Sequence, residues 1–189
     1  AANKSKFIDK VIVSSDSKEI LDLGKKYKKF IISKRPRNLS TRHINMIDVI
    51  NFELNKNSDY DILILLQPTS PLRSANDIDK CLKLMIKKQR LSAVSFTRLK
   101  YIPELMFRLS DNNKILNFKS IKQPLNRQNY EKYFYPSGDI YISFIKRLKK
   151  KKNFLDKKTL PFVISKYNSI DIDDILDFKL GELKLKLKK

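Results

Sequence analysis

The apolar positions of the chain fall into short runs separated by polar turns, and the runs alternate between two periods. Val11 to Ser15 (VIVSS) is a β-branched run ending at Asp16, and Ser17 with Glu19 behind it predicts a helix start leading into EILDLGKKYKK. Phe30 to Ser33 (FIIS) predicts a second strand. Pro36 and Asn38 mark the loop that closes it, after which Ile47, Ile50 and Leu54 recur at helical spacing. Ile62 to Leu66 (ILILL) is apolar at every position, as expected of a strand covered on both faces, and predicts the central strand of a parallel sheet. It meets the turn QPTSPLRSAND, then a helix from about Asp77 with Ile78, Leu82, Met85 and Ile86 on one face. Ser92 to Thr97 (SAVSFT) predicts the next strand. Strand and helix alternating in this way give a layered α/β domain with right-handed crossovers, whose ligands sit beyond the carboxyl ends of the strands.

From Leu99 to Tyr135 the rhythm changes. ELMFRL and KILNF flank an SDNN turn, which predicts a hairpin excursion over 99–135 serving as an arm or lid. Asp139 to Phe144 (DIYISF) returns to strand character, KRLKKKKN (Lys146 to Asn153) reads as a basic, solvated connector, and Phe162 to Ser165 is a last short strand. Beyond Asp173, Leu176, Leu180, Leu183 and Leu187 share one helical face; the LKLKLK ending also fits strand alternation, and helix is the preferred reading.

Length and composition narrow the class. The 189 residues fit the prior of one domain of roughly 100 to 200 residues, and 41% hydrophobic residues are enough for a core. A net charge of +21 raises the idea of a polyanion partner. The lysine excess is spread along the whole chain, however, and no aromatic platform is interleaved with KRLKKKKN, so a basic nucleic-acid-binding protein ranks last among the readings. Cys81 is the only cysteine, which excludes a disulfide framework or a multi-cysteine zinc site and fits a reducing compartment, with cytoplasm the default. No apolar run approaches the roughly 18 residues of a membrane span, and the start AANKSKFIDK lacks the apolar stretch of a signal peptide, so no membrane partner is expected. The glycines are Gly24, Gly138 and Gly181 alone, so neither GxGxxG nor GxxxxGK[ST] can be written. His43, the one histidine, reads as an exposed helix-start residue, and Cys81 as a packing residue.

Two segments carry candidate chemistry. In SIDIDD (Ser169 to Asp174) an extended backbone puts Asp171 and Asp173 on one face and Ile170 and Ile172 on the other. Paired carboxylates of this kind suit Mg²⁺, which takes one or two carboxylates plus substrate phosphates. The even alternative is an acidic turn capping the last helix through Asp173 or Asp174. In LLQPTSPLR (Leu65 to Arg73) two prolines stiffen a turn that presents Gln67, Thr69, Ser70 and then Arg73. These groups suit a polyhydroxylated or anionic ligand; an ordinary proline-rich turn with Ser/Thr capping is the other reading.

Read in order, VIVSSDSKEI, KRP, LLQPTSPLRSANDI, NRQ (Asn126 to Gln128), SGDIYI (Ser137 to Ile142) and SIDIDDILDF strongly resemble the acylneuraminate cytidylyltransferase family, the CMP-sialic, legionaminic and pseudaminic acid synthetases. LLQPTSPLR and SIDID are the specific motifs, and their collinear order extends the resemblance over nearly the whole chain. The resemblance implies a layered α/β/α nucleotidyltransferase fold with a mostly parallel sheet, dimeric through the hairpin excursion. It implies transfer of CMP from CTP to a nine-carbon 2-keto acid sugar with release of pyrophosphate, and Mg²⁺ as cofactor. By the same match Asp171 and Asp173 are the catalytic metal-holding pair; Gln67, Thr69, Ser70, Arg73 and Tyr141 line the sugar site; and Arg127 meets the sugar carboxylate. Arg35 is directed at the nucleotide, a surface charge being its other reading, and Asp16 fits the pocket rim, with helix capping its alternative role. Asn45 is a departure: it stands where the family usually has an acidic residue and then serines, and is the polar group that substitutes for them at the nucleotide. Ser137 stands where the family commonly has Asn. The family's opening strand and loop, of the type IIPARxGSKxxxxKN, has no counterpart in these residues, which join the pattern at SKFIDKVIVSSD. The chain by itself is therefore expected to turn over poorly or not at all. A catalytically inactive or truncated sugar- or nucleotide-binding module is the alternative function.

Overall fold

The computed structural model describes residues 1–100, 103, 106–116 and 131–187. The first half alternates as its pattern predicts: β1 (Val11–Ser15), α1 (Lys18–Gly24), β2 (Phe30–Lys34), α2 (Met46–Lys56), β3 (Ile62–Leu65), α3 (Ala75–Lys87) and β4 (Ser92–Arg98). After the excursion come β5 (Phe134–Phe144), α4 (Ile145–Lys151), β6 (Leu160–Val163) and α5 (Ile175–Leu187). The helix starts are set locally. The Ser17 hydroxyl accepts from the Ile20 amide at 3.4 Å. Ser74 and Asp77 form a reciprocal capping box at α3, so the helix begins slightly ahead of the expected Asp77.

Strand order depends on long-range pairing. β1 and β2 form a parallel pair, and the remaining strands form a four-stranded sheet in the order β3-β5-β4-β6. β3 and β4 both run antiparallel to β5, and β6 runs parallel to β4. Three of the four strands thus share one direction, as a mostly parallel sheet requires, with β5 reversed between two of them. β3, expected at the centre, pairs only with β5 among the described residues. Its uniformly apolar sequence reflects burial of both faces: Leu63 and Leu65 pack with Ile47, Ile50 and Leu54 of α2, Ile62 and Ile64 with Ile78, Cys81 and Met85 of α3. The same alternation continues across the sheet, with Val94 and Tyr141 facing the α2 side and Ala93, Ile140 and Ile142 the α3 side, which makes three layers.

One expectation is corrected. The basic connector is a helix, α4, because Ile145 and Leu148, one turn apart, are buried beneath its lysines. The leucine face of α5 is not in the core: Leu176 and Leu187 are 74% and 78% exposed, and Leu180 and Leu183 are exposed too. Apolar residues lie all round this helix, and its one buried residue is Gly181, where a Cβ would stand 3.9 Å from Ile172 and 4.0 Å from Ile170. Of the expected excursion, the described part is a hairpin tip. Ser110 N–H donates to the Lys114 carbonyl at 2.9 Å, Leu116 N–H to the Arg108 carbonyl at 2.8 Å, and Asn113 takes φ +57° in the turn. Cys81 is fully buried, and burial pushes its thiol up to about 12, so it packs rather than reacts. Among the described residues no helix is long and apolar enough to cross a membrane.

Candidate active site

The candidate site is built around a break in the β4–β5 ladder. Val94 pairs with Tyr141, but Phe96 already pairs with Pro136, so residues 137–140 stand opposite Ser95 alone. Such a bulge re-aims side chains at a sheet end. The fully buried Ser95 hydroxyl secures it, accepting from the Ile140 amide and the Ser137 hydroxyl at 2.8 Å each. Gly138 within the bulge has φ +77°, a conformation that side chains disfavour. A Cβ on Gly138 would stand 3.0 Å from Ser70 Oγ, 3.1 Å from Gln67 Oε1 and 3.5 Å from Asp171 Oδ2. Three predicted site residues, from the turn after β3 and the segment after β6, therefore converge on one glycine at the carboxyl ends of these strands.

The two segments are joined directly, since the Ile172 amide donates to the Thr69 carbonyl at 2.9 Å. Ile170 and Ile172 both face Gly181, while Asp171 lies against Gly138, which is the alternation expected of an extended SIDID. The capping alternative is also realised, through Asp174: its Oδ1 accepts from the Leu176 and Asp177 amides at 2.8 and 2.9 Å. Asp171 and Asp173 are exposed and are not used as that cap. Likewise Ser74 caps α3, which leaves the hydroxyl of Ser70, fully buried and without a hydrogen-bond partner, beside Gly138. The donor set of hard carboxylate oxygens fits Mg²⁺; no group of three or more His, Cys, Asp or Glu that could hold a metal occurs among the described residues, so such an ion would complete its shell with substrate oxygens and water.

Arg73 has a partner within the fold. It is half-buried and its Nη1 donates to the Asp139 carbonyl at 3.1 Å, so it braces β5. Burial pulls its guanidinium down from the ordinary value, and the Asp139 carboxylate beside it pulls back up. Tyr141 is half-buried, its ring 5.5 Å from Phe154; burial, then Asp171 and Asp139, raise its hydroxyl. Arg127 lies outside the described residues.

Asp16 and Arg35 come together elsewhere, at the carboxyl ends of β1 and β2. They line an open cleft of about 520 Å³ with Lys34, Pro36 and Arg37. Arg35 Nη2 stands 3.9 Å from Asp16 Oδ1, and its Nε donates to Ser40 Oγ at 3.1 Å. Asp16 is thus a rim residue, and Ser17 supplies the cap at α1. Asn45 also has a local role: its Oδ1 accepts from the Ile47 amide at 2.9 Å as the N-cap of α2. Sequence reasoning passed over Ser95, Gly138, Asp139, Lys34 and Arg37. The signal for the bulge was present in SGDIYI, a glycine and a carboxylate heading an apolar strand.

Comparison with known proteins decides the family. A family model described as cytidylyltransferase matches residues 1–161. The chain belongs to this family. As a cytidylyltransferase it is 29% identical over 182 residues to the N-acylneuraminate cytidylyltransferase of Escherichia coli O18:K1:H7, a match covering 96% of this chain and 43% of that protein. It therefore spans less than half the length of that relative. It is also 26% identical to the CMP-N,N'-diacetyllegionaminic acid synthase of Legionella pneumophila, over 100% of this chain and 83% of the relative. Among solved structures, CMP:2-keto-3-deoxy-manno-octonic acid synthetase complexed with CTP superimposes with a TM-score of 0.62 at 15% identity, covering 99% of this chain and 84% of that one. That likeness establishes the nucleotidyltransferase fold.

Proposed function

We propose that this cytidylyltransferase transfers CMP from CTP to a nine-carbon 2-keto acid sugar and releases pyrophosphate. The observation that carries the reading is the convergence of Gln67, Ser70 and Asp171 on Gly138 at the strand ends, in a chain whose relatives are named for CMP-sugar acid synthesis. The buried, unpartnered Ser70 hydroxyl and the Gln67 amide are groups for binding sugar hydroxyls, with Thr69 in the same turn and Tyr141 beside Asp171. Arg127 is assigned to the sugar carboxylate, which a guanidinium pairs with bidentately. Arg35, held between Asp16 and Ser40 in the cationic cleft, is assigned to the nucleotide, and Asn45 at the start of α2 is a polar contact by position alone. Asp171 and Asp173 would hold Mg²⁺, which supplies charge neutralisation at the transferring phosphoryl group. The reducing cytoplasm, where CTP is made, fits the unpaired Cys81.

Pyrophosphate release with CTP, Mg²⁺ and a panel of nonulosonic acids tests the reaction, in protein that also carries the family's opening strand and loop. Release dependent on both substrates is expected, with Arg35→Ala raising KM for CTP about tenfold and leaving kcat little changed, as for a residue lost from uniform binding. Binding of CTP or sugar acid with no release under any condition would replace this reading by the binding-module alternative.

We further propose that the hairpin within 99–135 mediates homodimerisation. Met106, Leu109, Ile115 and Leu116 are exposed apolar residues on it. Sedimentation is expected to give a dimer that Leu109→Asp combined with Ile115→Asp converts to a monomer; a wild-type monomer at all concentrations removes the proposal.

A further inference from the structure

The carboxylate of Asp139 is fully buried, yet neither the sugar contacts nor the metal pair uses it. Removing a carboxylate from water is costly unless hydrogen bonds and opposite charge offset it. Its Oδ2 accepts from the Ser169 hydroxyl at 2.7 Å, and the Arg73 guanidinium that bonds its carbonyl provides the nearby positive charge. Ser169 opens the very segment that carries Asp171 and Asp173. Asp139 therefore ties three pieces together: the bulge of β5 in which it lies, the turn after β3 through Arg73, and the 169–173 segment through Ser169.

The geometry of that tie is specific. Gly138, the residue before Asp139, is the one Asp171 abuts, so the point where the segment is anchored and the point its carboxylate lies against are consecutive residues of one strand. Between them the chain is extended, with about 3.3 Å per residue, and fixing Ser169 fixes how far along the strand Asp171 can reach. Beyond Asp171 the segment is held again, by the Ile172 amide on the Thr69 carbonyl. The Ser169 carbonyl accepts from Lys184 Nζ at 3.1 Å, so its backbone is held from the α5 side as well.

We propose that Asp139 is a positioning residue, whose hydrogen bond to Ser169 latches the 169–173 segment and sets the place of Asp171 against Gly138. The latch rests on the proposed function only in what the placed carboxylate is for. It acts through Asp171, and a reacting group displaced by about 1 Å can lose on the order of 10²-fold in rate.

The test uses Ser169→Ala, Ser169→Thr and Asp139→Ala in the 189-residue chain, with two readouts. The first is amide exchange at Ile172 in metal-free protein. Ser169→Ala is expected to speed it at least about tenfold relative to exchange in the α3 core, while Ser169→Thr, which keeps the hydroxyl, stays near wild type. Asp139→Ala is the second route to the same loss; should it fail to fold, the Ser169 pair decides alone. The second readout is Mn²⁺ binding by electron paramagnetic resonance, expected to weaken several-fold in Ser169→Ala and to recover in Ser169→Thr. Unchanged Ile172 exchange in Ser169→Ala overturns the latch. Wild-type protein that binds no Mn²⁺, with exchange behaving as expected, leaves the latch standing and removes the metal reading instead.

Discussion

Asp171→Ala is expected to reduce pyrophosphate release by roughly 10² to 10³-fold, since charge stabilisation by a bound cation contributes several kcal/mol and each 1.36 kcal/mol is tenfold in rate. The same substitution separates a metal-holding role from a structural one. Asp171 is exposed and its segment is pinned by Ile172 and Ser169, so its removal leaves the backbone bonds in place. Melting of the metal-free variant should therefore match the wild type. The difference should appear with Mg²⁺: a ligand at about 100 times its Kd stabilises by about 2.7 kcal/mol. In a domain of this size that raises Tm by roughly 5 to 10 °C. Wild-type protein should show that rise and Asp171→Ala should lose it. Asp173→Ala is expected to behave alike, because the two carboxylates would share one ion. Full activity in either variant would end the assignment of the pair.

Gly138→Ala is expected to damage both stability and activity, for two separate reasons. A φ of +77° costs an L-residue about 1 to 2 kcal/mol, which corresponds to a fall in Tm of roughly 2 to 8 °C. The added methyl would also stand 3.0 Å from Ser70 Oγ and 3.1 Å from Gln67 Oε1, a spacing at which those side chains must shift. Ser70 is fully buried and has little room to do so. The methyl projects into the space where the sugar contacts meet, so kcat/KM should fall on the order of tenfold or more in protein that remains folded at the assay temperature. Serine at the same position should be no better, because the strain belongs to any Cβ. An alanine variant with unchanged melting and unchanged kcat/KM would mean that this hollow is not where substrate sits.

Local chemistry was enough for much of this protein. A β-branched run ending in Ser-Asp predicts β1 followed by the Ser17-capped α1, and the uniformly apolar ILILL marks β3 as buried on both faces. Because side chains alternate along an extended chain, SIDID already separates its aspartates from its isoleucines, and the order of motifs carries the family. These features need only neighbours along the chain.

Tertiary structure decided what depends on partners distant in sequence. That β3 lies beside a reversed β5, that residues 137–140 bulge opposite Ser95, and that Arg73 turns inward to that bulge all follow from pairing between segments separated by the excursion. Polar residues in particular are ambiguous until their partners are known. Asp139 reads in sequence only as the first residue of the strand segment DIYISF, and its place as a buried anchor depends on Ser169 and Arg73, which come from distant segments. The leucines of α5 share one helical face in the sequence, yet they are exposed and a glycine is what reaches the isoleucines of SIDID. Periodicity determined which elements form and which residue types each site segment offers. Burial and direction are properties of the packed sheet, and they determined which of those residues face a substrate and which hold the others in place.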